Sequence, residues 1–433
     1  MDIHKYNIVF IIGAIYITFL EHHVSTLPAA RQDTLESYSN SNIRSFKKAL
    51  GYDEETYLNF TELATKYGYR TEEHTITTED GYILKAFRIL TNCQEPYKRP
   101  PVLLMHGVFD SSDVWIIAGK DIGIGYLLAD YCYDVWALNH RGNKYSRKHV
   151  YYNPDTDMEF WNYSFDEHGH FDIPATIDYI IQVTKHKKLS YIGHSQGTTD
   201  FFAMASLKPE YNKKIRVSIQ LAPVAWMTNI FNPILKVISP ATHLLKIFLD
   251  SSGNSELLAE NHLIQLMFEM LCQVVSKSFC ISTLHATTGY EDGSIPTKTL
   301  VLAFSHVLSG TSSKSLAHFG QIIKSKHFQR YDEGTKGNMK RYGTPTPPKY
   351  NVSLITSPVV LICAENDWVS SLKDIDILSS KLSNLVEKYV VPEPKWSHHN
   401  HVWSTKLPNY VFPKIIEYLD KFNWQTSVND NLQ

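Results

Sequence analysis

The sequence predicts an α/β fold: a mostly parallel central sheet with helices on both faces, interrupted by a helical insertion. Three observations predict it. Short, continuous apolar runs recur along the chain, and helical patterns separate them. One stretch, "LSYIGHSQGTTDFFAMA" from Leu189 to Ala205, changes from a strand pattern to a helix pattern across a serine placed between two glycines. A chain of 433 residues, 43% hydrophobic, is long enough to bury the core such a fold requires. Its 42 Lys+Arg against 44 Asp+Glu give a formal net charge of −2, which offers no electrostatic basis for binding nucleic acid or an anionic membrane surface.

At the N-terminus, Lys5 precedes the apolar run "IVFIIGAIYITFL" (Ile8 to Leu20), and polar "EHHVST" follows. This is the pattern of a secretory signal peptide over residues 1–26, because the run falls short of the roughly 20 residues that span a bilayer as a helix. A secreted or lysosomal chain without stable membrane insertion is expected once the segment is removed. The sequons at Asn59, Asn162 and Asn351 are candidate glycan sites in such a chain.

Residues 27–225 read as the first part of the core. "YLNFTELATKYGY" is a short amphipathic helix, and "TEEHTITTEDGYILKAFRIL" is two strands around a Glu79-Asp80-Gly81 turn. "PVLLMHGVF", "DVWALNHRG", "KLSYIGHS" and "VSIQLAPVA" follow as strands, too continuously apolar for one face to lie in water. The helical patterns between them, such as "DIGIGYLLADY" and "FDIPATIDYIIQVT", give the βαβ alternation of a parallel sheet. The alternation stops over residues 226–350, where apolar helical stretches ("NPILKVISPATHLLKIFL", "NHLIQLMFEMLCQVV") lead to the turn-rich "YGTPTPPKYN". This segment reads as a cap over the strand ends, where ligands of open α/β sheets bind; the alternative is a second domain unrelated to the site. Residues 351–433 return to the core with "SPVVLICAEND" and "LVEKYVVPE".

Five cysteines leave at least one unpaired. Cys272 and Cys280 are the pair most easily joined by a local loop, Cys132 and Cys363 lie in strand-like runs and read as buried thiols, and Cys93 is undecided. Neither C-x-x-C nor H-E-x-x-H is present, and the spacing of the 20 histidines suggests no metal site; "HVYY" and "SHHNHVW" come nearest.

The serine between glycines carries the chemistry. A sharp strand-to-helix turn strains the serine backbone and leaves no room for side chains at Gly193 and Gly197, so Ser195 is lifted clear of the sheet, as the nucleophile of an α/β-hydrolase is. A serine hydroxyl needs a histidine base, and the base needs a carboxylate; on this fold the chain order is Ser, acid, His. Downstream, "VVLICAENDWVS" ends a strand in an acidic turn, where Asp367 is favoured over Glu365, Asp374 and Asp376, the last two falling in the next helix. "WSHHNHVW" follows the next strand and offers His398, His399 and His401, among which spacing does not choose; the others would lie on an exposed loop or pack on Trp396 or Trp403. The loop after the third strand begins His106-Gly107-Val108, so the N–H groups of Val108 and Gln196 are the candidate oxyanion donors. His106 precedes Ser195 and reads as a loop-structuring residue.

The motifs "TEDGYIL", "LLMHGV", "YDVWALNHRGNKYSRKH", "FWNYSFDEHGHFDIPATIDYI", "YIGHSQGTT", "LAPVA", "YDEG", "PPKYNVSLITSPVVLICAENDWV" and "PEPKWSHHNHVW" together resemble the animal acid lipases, the group of gastric and lysosomal acid lipases and their insect relatives. The resemblance runs from about Tyr57 to "PKIIEYL" and implies the α/β-hydrolase fold with a helical cap gating the site. It implies hydrolysis of triacylglycerols or sterol esters at a lipid–water interface, with no cofactor and no metal. It places the nucleophile on Ser195, the acid on Asp367 and the base on His398, because the family's base precedes a Trp by five residues, as His398 precedes Trp403. The oxyanion donors carry over to Val108 and Gln196, and a cap disulfide to Cys272 and Cys280. This chain departs from the pattern in "HHNHVW", where the family has His-Leu-Asp-Phe-Ile-Trp, and in "LNHRGN", where it has Asn-Ser-Arg-Gly-Asn. The extra histidines change the electrostatic surroundings of the base. The competing readings are a carboxylesterase or acyltransferase acting on smaller esters, and a catalytically silent lipid-carrying or storage protein.

Overall fold

In the computed structural model, residues 44–49, 51–91, 93, 99–253, 255–257, 281–282, 285–286, 288–289 and 293–429 are described. The expected signal peptide and the Cys272–Cys280 pair lie outside the described residues. Eight strands form one sheet: β1 (Arg70–Thr77), β2 (Ile83–Leu90), β3 (Pro101–Met105), β4 (Asp134–Leu138), β5 (Leu189–His194), β6 (Ile215–Leu221), and, numbered after a two-stranded ribbon of β7 (Glu256–Leu257) and β8 (Thr311–Ser312), β9 (Val359–Cys363) and β10 (Leu385–Val390). Their order is β1-β2-β4-β3-β5-β6-β9-β10. The first two strands run antiparallel to their neighbours and the other six are parallel to one another.

The continuous apolar runs occupy the middle of this sheet: β3, β4, β5 and β9 are buried at every position. "LVEKYV" is the exception, half-buried throughout because β10 is the edge strand. Helices α1 (Phe60–Lys66), α2 (Ile124–Asp130), α3 (Ile173–Thr184) and α4 (Gln196–Leu207) fill the connections where the sequence places them. Asn59 begins α1 with a capping box: its side chain accepts the Glu62 N–H, and Glu62 accepts the Asn59 N–H.

Between β6 and β9 the chain leaves the sheet. "NPILKVISPATHLLKIFL" is two helices, α5 (Pro233–Ile238) and α6 (Thr242–Ser251), separated at Ser239-Pro240; α7 (Thr297–His306), α8 (Ser313–Ser325) and α9 (Gly334–Tyr342) follow. This region rests on the loops at the carboxyl ends of the strands. The N–H groups of Leu308 and Ser309 donate to the Phe109 carbonyl beyond β3, and those of Phe231 and Asn232 donate to the Trp368 carbonyl beyond β9. Its far end is tied to the core by charge: buried Asp166 accepts from Arg330 at 3.0 and 2.9 Å and from Arg341 at 3.1 Å. Such a pair holds position well, because removing either partner leaves a buried charge uncompensated.

The cysteines require one correction. Cys132 is not a buried strand thiol; it sits half-buried in the turn before β4 and is bonded to Cys93. Antiparallel pairing sets Ile89 opposite Val135, so the end of β2 lies beside the start of β4 and the two cysteines meet. Cys363 is the buried free thiol expected.

His318 on α8 is fully buried, with ring nitrogens 3.0 Å from Ser164 Oγ and 2.9 Å from the Gln329 carbonyl. Burial holds its pKa down at about 4, against about 6.5 in the unfolded chain. The folded state therefore binds this proton less readily, and the stability His318 contributes is intact above pH 6.5 and lost as pH falls towards 4. His318→Gln lacks that loss. The stability gap between wild type and variant, read from urea unfolding, should shift towards the variant by about 3 kcal/mol between pH 7 and 4; a pH-independent gap would contradict the reading.

Candidate active site

Ser195 sits on the turn from β5 into α4 with φ 54° and ψ −119°. A non-glycine residue at positive φ is strained, so the surroundings must hold it there. The Ser195 N–H donates to the Leu221 carbonyl at 3.1 Å, while its own carbonyl accepts from the Thr198 N–H at 2.9 Å and from Thr198 Oγ1 at 2.6 Å. Both flanking glycines are sterically required. A Cβ on Gly193 would lie 2.8 Å from the Gly197 backbone, and one on Gly197 would lie 2.2 Å from the Met105 carbonyl oxygen.

Asp367 stands on the turn after β9, fully buried, where Oδ1 accepts from the N–H groups of Val369 and Ser370 at 2.9 and 2.8 Å. Those bonds leave Oδ2 facing His398 Nδ1 at 2.7 Å. The other ring nitrogen, Nε2, is 2.8 Å from Ser195 Oγ. Asp367 thus selects the tautomer that leaves Nε2 free to receive the serine proton. The rival carboxylates are placed elsewhere: Glu365 is exposed, Asp376 pairs with Lys388, and Asp374 accepts from the N–H groups of Thr228 and Asn229. Half-buried His399 and buried His401 lie edge-on against Trp403 and Trp396, at 4.5 and 5.8 Å between ring centres. Burial pushes both well below the usual histidine pKa, aided by repulsion from neighbouring histidines.

Gly107 lies directly against the serine, since a Cβ there would be 3.3 Å from Ser195 Cβ. The following residue, Val108, is half-buried, whereas Gln196 is buried at the start of α4. His106 ties its own loop to the loop after β4, with Nδ1 2.8 Å from the Gly107 carbonyl and Nε2 3.1 Å from Asn143 Nδ2. One supporting residue has no signal in the sequence: His194 Nε2 donates to the His398 carbonyl at 3.2 Å and anchors the His398 backbone. That bond spans two distant strand ends and follows no local spacing.

Comparison with known proteins bears on the family and the fold. Residues 60–119 match the family model described as a partial alpha/beta-hydrolase lipase region, and residues 100–221 match the alpha/beta hydrolase fold. The chain is similar to Lipase 1 of Drosophila melanogaster, with 35% identity over 85% of this chain and 81% of that protein. It is also similar to the gastric triacylglycerol lipase of Bos taurus (35%, covering 88% and 96%) and to the human lysosomal acid lipase/cholesteryl ester hydrolase (32%, covering 87% and 94%). Among solved structures, an alpha/beta hydrolase fold protein from Nakamurella multipartita superposes with a TM-score of 0.50 at 15% identity, covering 80% of this chain and 99% of that one, a likeness of fold alone.

Gly197→Ala tests the packing beneath Ser195. Its methyl group would meet backbone rather than a movable side chain, so a loss of about 3 kcal/mol is expected in urea unfolding; an unchanged midpoint would mean the turn is less confined than described.

Proposed function

The chain belongs to the lipase family of α/β hydrolases that includes gastric and lysosomal acid lipases, and from that premise we propose that it hydrolyses neutral lipid esters through Ser195, His398 and Asp367. One observation carries the proposal: the unbroken line from Ser195 Oγ to His398 Nε2 at 2.8 Å and from His398 Nδ1 to Asp367 Oδ2 at 2.7 Å. Ser195 Oγ attacks the ester carbonyl while His398 takes its proton. Asp367 stabilises the imidazolium so formed. The N–H groups of Val108 and Gln196 receive the developing oxyanion, His398 protonates the departing alcohol, and water cleaves the acyl-enzyme by the same steps.

A long-chain lipid as substrate is supported by the region between β6 and β9, which we read as a cap spanning residues 226–350. Its helices α5 and α6, with the segment before them, expose Phe231, Val237, Leu244, Ile247 and Phe248, each more than half exposed. An exposed apolar patch of that kind suits a lipid–water interface. Among the described residues no helix is long and apolar enough to cross a membrane. The N-terminal apolar run and the relatives support entry into the secretory pathway, to a secreted or lysosomal location. Asn59, Asn162 and Asn351, the candidate glycan sites, are exposed.

The test is fatty-acid release from an emulsified long-chain triacylglycerol and from a short soluble ester, measured beside Ser195→Ala. Release from the emulsion is expected, with kcat lowered about a million-fold by Ser195→Ala and about ten-thousand-fold by Asp367→Asn. Release from the soluble ester alone would mark an esterase. No serine-dependent release from either would favour a silent lipid carrier.

A further inference from the structure

The loop that carries Val108 and the loop after β4 are joined by a chain of hydrogen bonds whose direction is fixed from end to end. Its fixed points are backbone N–H groups, which only donate. Asn143 Oδ1 accepts from the N–H groups of Tyr145 and Ser146, each at 3.1 Å. Asn139 Oδ1 likewise accepts from the Ser112 N–H at 2.9 Å. Both amides are therefore oriented by groups of known polarity, and Asn143 Nδ2 is left to donate. It reaches Asn139 Oδ1 at 2.8 Å and His106 Nε2 at 3.1 Å, with the Asp110 carbonyl a longer alternative at 3.5 Å. His106, Asn139 and Asn143 are all buried at 0% exposure, where a mismatched donor goes unpaired.

This arrangement decides which nitrogen of His106 carries a proton. Burial holds the ring's pKa down at about 4, so near neutral pH it has a single N–H. With Nε2 accepting from Asn143, that N–H lies on Nδ1, 2.8 Å from the Gly107 carbonyl. The other tautomer would set N–H against N–H at Asn143 and lone pair against lone pair at Gly107. Holding the Gly107 carbonyl also holds Val108, because the peptide between them is trans and planar, and such a unit points its C=O and its N–H in opposite directions. Among the described residues the Val108 N–H has no backbone acceptor.

We propose that Asn143 is a positioning residue for ester hydrolysis: by dictating the tautomer of His106 it locks the Gly107 carbonyl and so aims the Val108 N–H at the developing oxyanion. The inference rests on the reading of Ser195 as nucleophile and Val108 as oxyanion donor. Asn143 stands two hydrogen bonds from the Gly107 carbonyl and acts through His106 alone. Its own orientation comes from Tyr145 and Ser146, so the aim of a donor beyond β3 is set by the backbone beyond β4.

The test has two arms, both on the full processed chain. The first needs no variant: NMR of isotopically labelled histidine ring nitrogens near neutral pH, with His106 assigned by its proximity to the Gly107 protons. His106 should carry its proton on Nδ1, the two nitrogens being told apart by their couplings to the ring C–H protons. The second arm compares turnover of a short soluble ester with that of its thiono analogue, whose carbonyl sulfur gains little from an oxyanion hole. Asn143→Ala should lower kcat for the ester about tenfold to a hundredfold, at most about the loss of one oxyanion donor, with KM little changed. The ratio of ester to thionoester turnover should fall with it. In a His106→Ala background the same Asn143 substitution should cost nothing further, because its route to Val108 is gone. A proton on Nε2, an unchanged ratio in Asn143→Ala, or losses that multiply in the double variant would overturn the proposal while wild-type hydrolysis stands. Absence of Ser195-dependent turnover in the wild type is a distinct result, which removes the hydrolase reading and this inference with it.

Discussion

The structure depends on one strained turn. At φ 54° Ser195 holds a conformation that costs about 1–3 kcal/mol, and it keeps that conformation because the surroundings leave it no other. Gly193 and Gly197 bring strand and helix backbones into contact, Leu221 on β6 receives the serine N–H, and Thr198 holds the serine carbonyl while bonding the Val224 N–H through its own hydroxyl. The strain is carried by the middle of an eight-stranded sheet whose central strands are fully buried. A looser sheet would let the turn relax and lower the hydroxyl away from His398.

The rest of the fold brings distant segments to that turn. Parallel strands end on one side, so the loops after β3, β5, β9 and β10 supply Val108, Ser195, Asp367 and His398 to one place from a span of almost three hundred residues. The region between β6 and β9 presses on the same loops through Phe109 and Trp368. Beneath the turn, Arg141 pairs with Asp80 and Asp172 and lies 3.8 Å over the Tyr82 ring, fixing the loop after β4. Buried charge of this kind sets position more than it adds stability.

Local pattern revealed what local physics controls. Apolar continuity identified the central strands, and the two glycines identified the turn, because steric demand at Gly193 and Gly197 is written in adjacent residues. Asp367 was legible as the strand-end carboxylate that meets His398. Which of His398, His399 and His401 meets Ser195 was not legible from spacing, since it depends on which ring faces Ser195 across the sheet; the family resemblance pointed to His398, the ring found 2.8 Å from Ser195 Oγ. The Cys93–Cys132 bond and the contact of Asn143 with His106 escaped for the same reason. Each joins segments that become neighbours only through the strand order, and no periodicity encodes either.

The central claim is that Ser195 is the activated nucleophile. A long-chain alkyl phosphonate with a good leaving group, followed by peptide mass mapping, tests it most directly, because only a serine with a working base is phosphonylated rapidly. A single phosphonate on Ser195, formed at a rate that collapses in Asp367→Asn, is the result the account predicts. Lipid hydrolysis that persists with Ser195 unmodified, or a label carried by another residue, would contradict it.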